Sequence, residues 1–140
     1  MCSEPSDAMI KTYVSSSLPS NDDLDDHSAM LKVVHDVTAP SEWDDVMRSK
    51  LPVMVLFTNK RCGVKCESVR NILSRLDLIF EDTVKFYTVN TDEQRFIPPY
   101  YEIDVYSLPT SVVYKDGWEM ERVIDEDDPS LLEKLARKYI

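Results

Sequence analysis

The sequence predicts an α/β domain, a central mixed sheet flanked by helices, and three observations carry that expectation. Residues 51–57, Leu-Pro-Val-Met-Val-Leu-Phe, are an unbroken apolar run of strand length, which suits a strand buried on both faces in mid-sheet. Segments with helical spacing alternate with β-branched segments, the pattern of strands joined through helices. Towards the end, Lys115-Asp116-Gly117 separates two strand-like runs, a hairpin signal that adds an antiparallel edge.

The elements follow in order. Residues 31–37 are apolar and β-branched and predict a first strand. Ser41, followed three residues later by Asp44, resembles a capping box opening a helix that buries Trp43, Val46 and Met47. Pro52 has no N–H to give a ladder, so it must stand at the very start of the central strand. Val69, Ile72, Leu73, Leu76, Ile79 and Phe80 then fall at helical spacing. Residues 84–89 alternate as a strand. Pro98 and Pro99 leave room for only a short or bent helix between residues 92 and 101. Residues 111–114 and 118–124 flank the hairpin turn. Asp128 before Pro129 is a carboxylate cap with proline in the first turn. Leu131, Leu132, Leu135, Ala136 and Tyr139 give that last helix its inward face.

Length and charge bound the function. A chain of 140 residues holds one domain and a tail. Residues 1–30 carry six acids against Lys11 alone, about half of the net charge of −10. With seven serines and no sustained periodicity, they are expected to form a flexible acidic extension to a domain spanning 31–140. A short apolar patch there (Met9, Ile10, Tyr13, Val14) is expected to be solvated with the rest. The charge opposes general binding to nucleic acid or anionic membrane. No apolar run approaches the ~20 residues that span a bilayer. The start also lacks the pattern of a secretory signal or transit peptide, so a cytoplasmic location is expected.

The chemistry concentrates at Arg61-Cys62-Gly63-Val64-Lys65-Cys66. The chain has only two glycines. Gly117 belongs to the hairpin, and Gly63 stands where a buried strand passes into a helix, where a permissive backbone matters. Cys66 lines up with Val69, Leu73 and Leu76 and should face inward. Cys62 lands at the helix start, where free N–H groups and the helix dipole favour a thiolate, and Lys60, Arg61 and Lys65 add positive charge. That is an exposed, activated thiol above a shielded one, suited to attack by Cys62 and resolution by Cys66. On a regular helix, i and i+4 side chains sit about 5–6 Å apart at Cβ, wider than a disulfide accepts. A Cys62–Cys66 bond therefore needs Cys62 outside the helix or a distorted first turn, which Gly63 permits. The alternative, two core cysteines at a strand–helix junction, stays open.

With Ser107-Leu108-Pro109-Thr110 downstream of the cysteine pair, and a hairpin and terminal helix after it, residues 31–140 resemble a thioredoxin-family domain. The resemblance implies a cis peptide before Pro109 and a loop that faces the cysteines, in which Leu108, Pro109 and Thr110, with Gly63, bind extended substrate backbone. It further implies exchange with protein disulfides and re-reduction by a thioredoxin reductase or a glutathione system, with no cofactor of its own. Several positions depart from the family pattern Trp-Cys-Gly-Pro-Cys: Arg61 replaces the tryptophan, and Val64-Lys65 replace the proline with one residue more. Leu56 stands where the family often carries a buried Asp, and Thr58 where an aromatic residue is expected. Modest oxidoreductase activity is therefore expected.

Two other readings remain. A thioredoxin-fold binding module would hold a protein partner at the Cys62/Pro109 groove, with catalysis weak or lost and a larger assembly around it. Two thiolates at this spacing also suit Cu(I), but the histidines, His27 and His35, both precede the pair, and His35 is expected in the core. Cys2 is expected to be inert. The acids at 125–128 lack calcium-ligand spacing and read as a solvated loop ending in a helix cap.

Overall fold

The computed structural model describes residues 34–140. The expected acidic extension lies outside the described residues. Five strands, β1 (His35–Asp36), β2 (Val53–Thr58), β3 (Lys85–Asn90), β4 (Thr110–Lys115) and β5 (Trp118–Ile124), make one mixed sheet in the order β1-β3-β2-β4-β5. The first three are parallel to one another, β4 pairs antiparallel with β2, and β5 pairs antiparallel with β4. Among the described residues four helices accompany them: α1 (Pro40–Met47), α2 (Gly63–Ile79), the short α3 (Ile97–Tyr100) and α4 (Pro129–Lys138).

All six residues of β2 are buried, as an apolar run between two layers of helix requires. Alternate side chains leave β2 on opposite faces. Met54 and Leu56 join Val69, Leu73, Leu76 and Leu132 in one core. Val53, Val55 and Phe57 join Trp43, Val46, Ile97 and Tyr114 in the other. There the Trp43 ring meets Phe57, Tyr101 and Tyr114 edge-on at 5.2–6.1 Å. The hairpin turn is built as its sequence asks, with Asp116 and Gly117 both at positive φ.

Four local expectations are corrected. The first strand is shorter than 31–37: among the described residues it covers His35 and Asp36, and Val37 continues its contact by donating its N–H to the Thr88 carbonyl at 2.8 Å. The capping box at Ser41 and Asp44 does not form. Pro40 has its φ pre-set for the first helical position, so α1 starts earlier, with Ala39 as an extended N-cap. Glu42 reaches back instead, its Oε1 accepting from the Thr38 N–H at 2.6 Å and the Thr38 hydroxyl at 2.9 Å. His35 is not in the core. It lies exposed on an edge strand and bonds Glu42 Oε2 through Nε2 at 2.6 Å. Ile79 and Leu131 are exposed. Phe80 turns inward at the end of α2, while Leu132, Leu135 and Ala136 complete the inward stripe of α4, leaving Leu131 about 100° away. Asp128 does cap α4, accepting the Ser130 N–H at 2.9 Å.

Candidate active site

The site forms where β2 ends. Thr58 closes the strand, and its carbonyl accepts the N–H and hydroxyl of Thr91 at 2.7 and 2.9 Å. Asn59 then ties two segments together. Its Oδ1 accepts the Cys62 N–H at 3.0 Å, and its Nδ2 donates to the Val105 carbonyl at 3.0 Å. Residues Lys60–Cys62 make a single 3-10 turn, pinned at its start by the Lys60 N–H donating to Asp92 Oδ2 at 2.9 Å. Gly63 follows at φ 49° and ψ −121°, a backbone that residues with a Cβ rarely adopt, and α2 begins there.

Cys62 therefore sits ahead of the helix as its N-cap, and Cys66 lies in its first turn. The two are joined by a disulfide with their Cα atoms 5.6 Å apart, within the usual span for such a bond. Cys66 is buried and Cys62 half-buried. Cys62 Sγ lies 3.3 Å from the Asn59 carbonyl oxygen.

Register brings the Ser107–Thr110 loop to the same place. Phe57 of β2 faces Thr110 of β4 in the antiparallel ladder, so Pro109 falls beside the strand end from which the cysteine turn departs. The Leu108–Pro109 peptide is cis. Pro109 and Thr110 are buried and Leu108 half-buried against the Trp43 core. Asp104 braces the loop, accepting from the Tyr106 N–H and the Ser107 hydroxyl at 2.9 Å each. Those two bonds hold its carboxyl below the usual range.

The three cations predicted near Cys62 go separate ways. Lys65 pairs with Asp125 at 2.7 Å, a contact that raises the ammonium's pKa, with Asp127 and Glu126 adding to it. Arg61 lies over the Tyr106 ring, 5.1 Å from its centroid. Lys60 is exposed. Asp125 also donates its backbone N–H to the Pro109 carbonyl at 2.7 Å, so one residue touches both the helix carrying Cys66 and the proline loop.

Sequence reasoning missed Asn59 and Asp125. An Asn three residues before a helix-opening Cys is a cap signature, so Asn59 was legible in principle. Asp125 gives no such signal, because its contacts depend on the path of β5. Leu56, at the position where the family often carries a buried acid, is fully buried among apolar side chains.

Comparison with known proteins decides the family: the model of the thioredoxin family matches residues 34–138. The chain belongs to the thioredoxin family. Thioredoxin of Porphyra purpurea is 33% identical over 107 residues, which are 76% of this chain and 97% of the relative. A chloroplastic M-type thioredoxin of Spinacia oleracea is 32% identical over 113 residues, 81% of this chain and 61% of its own length. Among solved structures, oxidised thioredoxin of Plasmodium falciparum superposes with a TM-score of 0.67 at 27% identity, covering 76% of this chain and 97% of that one. The redox character of the family rests on a thiol pair, and in this chain Cys62 and Cys66 form a disulfide with three residues between them. Among the described residues no helix is long and apolar enough to cross a membrane.

Proposed function

We propose that this thioredoxin-family chain is a dithiol/disulfide oxidoreductase of modest activity acting on protein disulfides. The observation that carries the reading is the cysteine pair itself, half-buried Cys62 ahead of α2 and buried Cys66 within it, next to the Pro109 loop. In the reduced protein the Cys62 thiolate attacks one sulfur of a substrate disulfide. A mixed disulfide forms, and the other substrate sulfur leaves as a thiolate. Cys66 then attacks the Cys62 sulfur and releases the second substrate thiol. Two electrons have passed to the substrate, and the protein holds the 62–66 disulfide. A thioredoxin reductase or a glutathione system returns them. Gly63, Leu108, Pro109 and Thr110 border the extended substrate backbone in this reading.

Modest turnover follows from Leu56. It cannot accept a proton, so resolution by Cys66 proceeds without a buried base beneath α2. The helix N-terminus remains as a source of thiolate stabilisation at Cys62. The binding-module reading is favoured by one observation, the pairing of Lys65 with Asp125, which draws a positive charge away from the thiol.

A trapping experiment separates the two. Cys66→Ser should accumulate a mixed disulfide through Cys62 when mixed with an oxidised protein such as insulin, and Cys62→Ser should abolish reduction. Limited alkylation with peptide mapping should label Cys62 before Cys66. Trapping through Cys66, or insulin reduction that survives Cys62→Ser, would overturn the assignment.

A further inference from the structure

Beside the cysteine turn lies an open groove of about 630 Å³. Lys60 and Arg61 line one part of it and Arg95 another, with Pro98, Val105 and Tyr106 as apolar wall. Among the described residues elsewhere, six cations, Lys65, Arg70 and Arg122 among them, are paired with carboxylates, and Lys50, Arg75, Lys85, Lys115 and Lys134 are not but do not line this groove. Among the described residues, Lys60, Arg61 and Arg95 have no such partner. Two of them are held in place by uncharged groups: Arg61 over Tyr106, and Arg95 by donating Nε–H to the Asp92 carbonyl at 3.0 Å. Asp92 is the one carboxylate in the lining, and its Oδ2 already accepts the Lys60 N–H. The groove's remaining polar side chains face the protein. Asn59 bonds Val105 and Cys62, and Thr91 bonds Thr58. What the groove offers a visitor is thus apolar wall and three guanidinium or ammonium heads, on a chain whose net charge is −10.

We infer that this groove selects an acidic peptide segment, so that preferred substrates carry Asp or Glu beside the cysteine presented to Cys62. The inference rests on the oxidoreductase reading for the step at Cys62 but not for the binding itself. A visiting carboxylate meets pre-placed cations with no internal ion pair to break, and the apolar wall covers the methylene stems of Glu. The overall negative field repels acidic segments elsewhere on the domain, which narrows their landing to this place.

The test uses two fluorescent peptides that differ only in flanking residues, Glu on one and Lys on the other, with serine in place of cysteine. Fluorescence anisotropy with the full chain should show the Glu peptide binding about tenfold tighter at low salt, with the preference shrinking as salt screens the charges. Arg95→Glu and Arg61→Glu should each erase most of it. Arg95→Gln, which removes the charge without adding a like one, should fall between. Equal affinity for the two peptides, or a preference untouched by Arg95→Glu, overturns the assignment. The cysteine-bearing disulfide forms of both peptides, given to stoichiometric pre-reduced protein, test the other reading. Should neither be reduced while the binding preference holds, the exchange chemistry fails and the acidic-segment site stands. Should both be reduced at equal rates and bound equally, the exchange chemistry stands and the selection fails.

Discussion

Leu56→Asp puts the largest physical demand on the reading of the site. Leu56 is fully buried, shares a core with Val69, Leu73 and Val113, and faces Thr88 and Ser111 across its two ladders. Aspartate has the same four side-chain heavy atoms, so the cost is the exchange of two buried methyls for polar oxygens without partners, about 1–3 kcal/mol. Burial then keeps the carboxyl protonated in the folded protein, raising its pKa above the unfolded value of about 3.9. The sign follows: between those two pKa values the unfolded chain has released a proton that the folded one retains, so stability falls as pH rises. The slope is about 1.4 kcal/mol per pH unit, which amounts to about 4 kcal/mol from pH 4 to pH 7 if the carboxyl stays neutral throughout. Denaturant unfolding of the oxidised protein measures it, with Leu56→Asn as the uncharged control. The two variants should nearly coincide at pH 4 and separate steadily above it. In the folded fraction the new carboxyl lies in the core beneath α2 and serves as a base for Cys66 once pH exceeds its raised pKa, so insulin reduction per folded molecule should rise at alkaline pH and not where the carboxyl stays neutral. A stability gap between Asp and Asn that does not change with pH would refute the argument, because it would mean that position 56 opens to water.

Glu42→Gln should lower stability at neutral pH. The bond from the Thr38 N–H and those from His35 and the Thr38 hydroxyl hold the Glu42 carboxyl at about 2, so its contribution is present above the unfolded value and is lost as pH falls towards 2; unfolding curves of the two proteins should converge there. Asp125→Asn should leave stability within about 0.5 kcal/mol, since its ion pair with Lys65 is largely exposed, and Asn tolerates the positive φ that position 125 adopts. With Lys65 released, alkylation of Cys62 in the reduced protein should speed up, and an unchanged rate would show that Lys65 does not act on that thiol.

The elements that positioned the site were legible because their signals are local and strong. The run 51–57 announced a central strand, Asp116-Gly117 its hairpin, and Asp128-Pro129 the last helix, and in each the burial or backbone geometry follows from the residue types. The cysteine pair was legible for the same reason: Cys66 shares a helical face with Val69 and Leu73. What the sequence hid depends on where distant segments end. Nothing local says that Asp125 will meet Lys65, sixty positions away, or that the Arg61 guanidinium will leave the thiol for the Tyr106 ring. His35 misled because an edge strand of two residues buries neither face, although its neighbours Val34 and Val37 are buried.

All three residues between the cysteines, Gly63, Val64 and Lys65, belong to α2, and Cys62 stands just ahead of it. On a helix, one inserted residue turns everything after it by about 100°, which would swing Cys66, together with Val69 and Leu73, round relative to Cys62. Gly63 prevents this. With φ 49° it breaks the right-handed path, so Cys62 belongs to the 3-10 turn capped by Asn59, and α2 starts in register with its own apolar stripe. Val64 then projects into solvent at 86% exposure, and Lys65 falls on the side that faces the end of β5, where Asp125 receives it. Lys65, inside the cysteine pair, thus ties the first turn of α2 towards the Pro109 loop through Asp125.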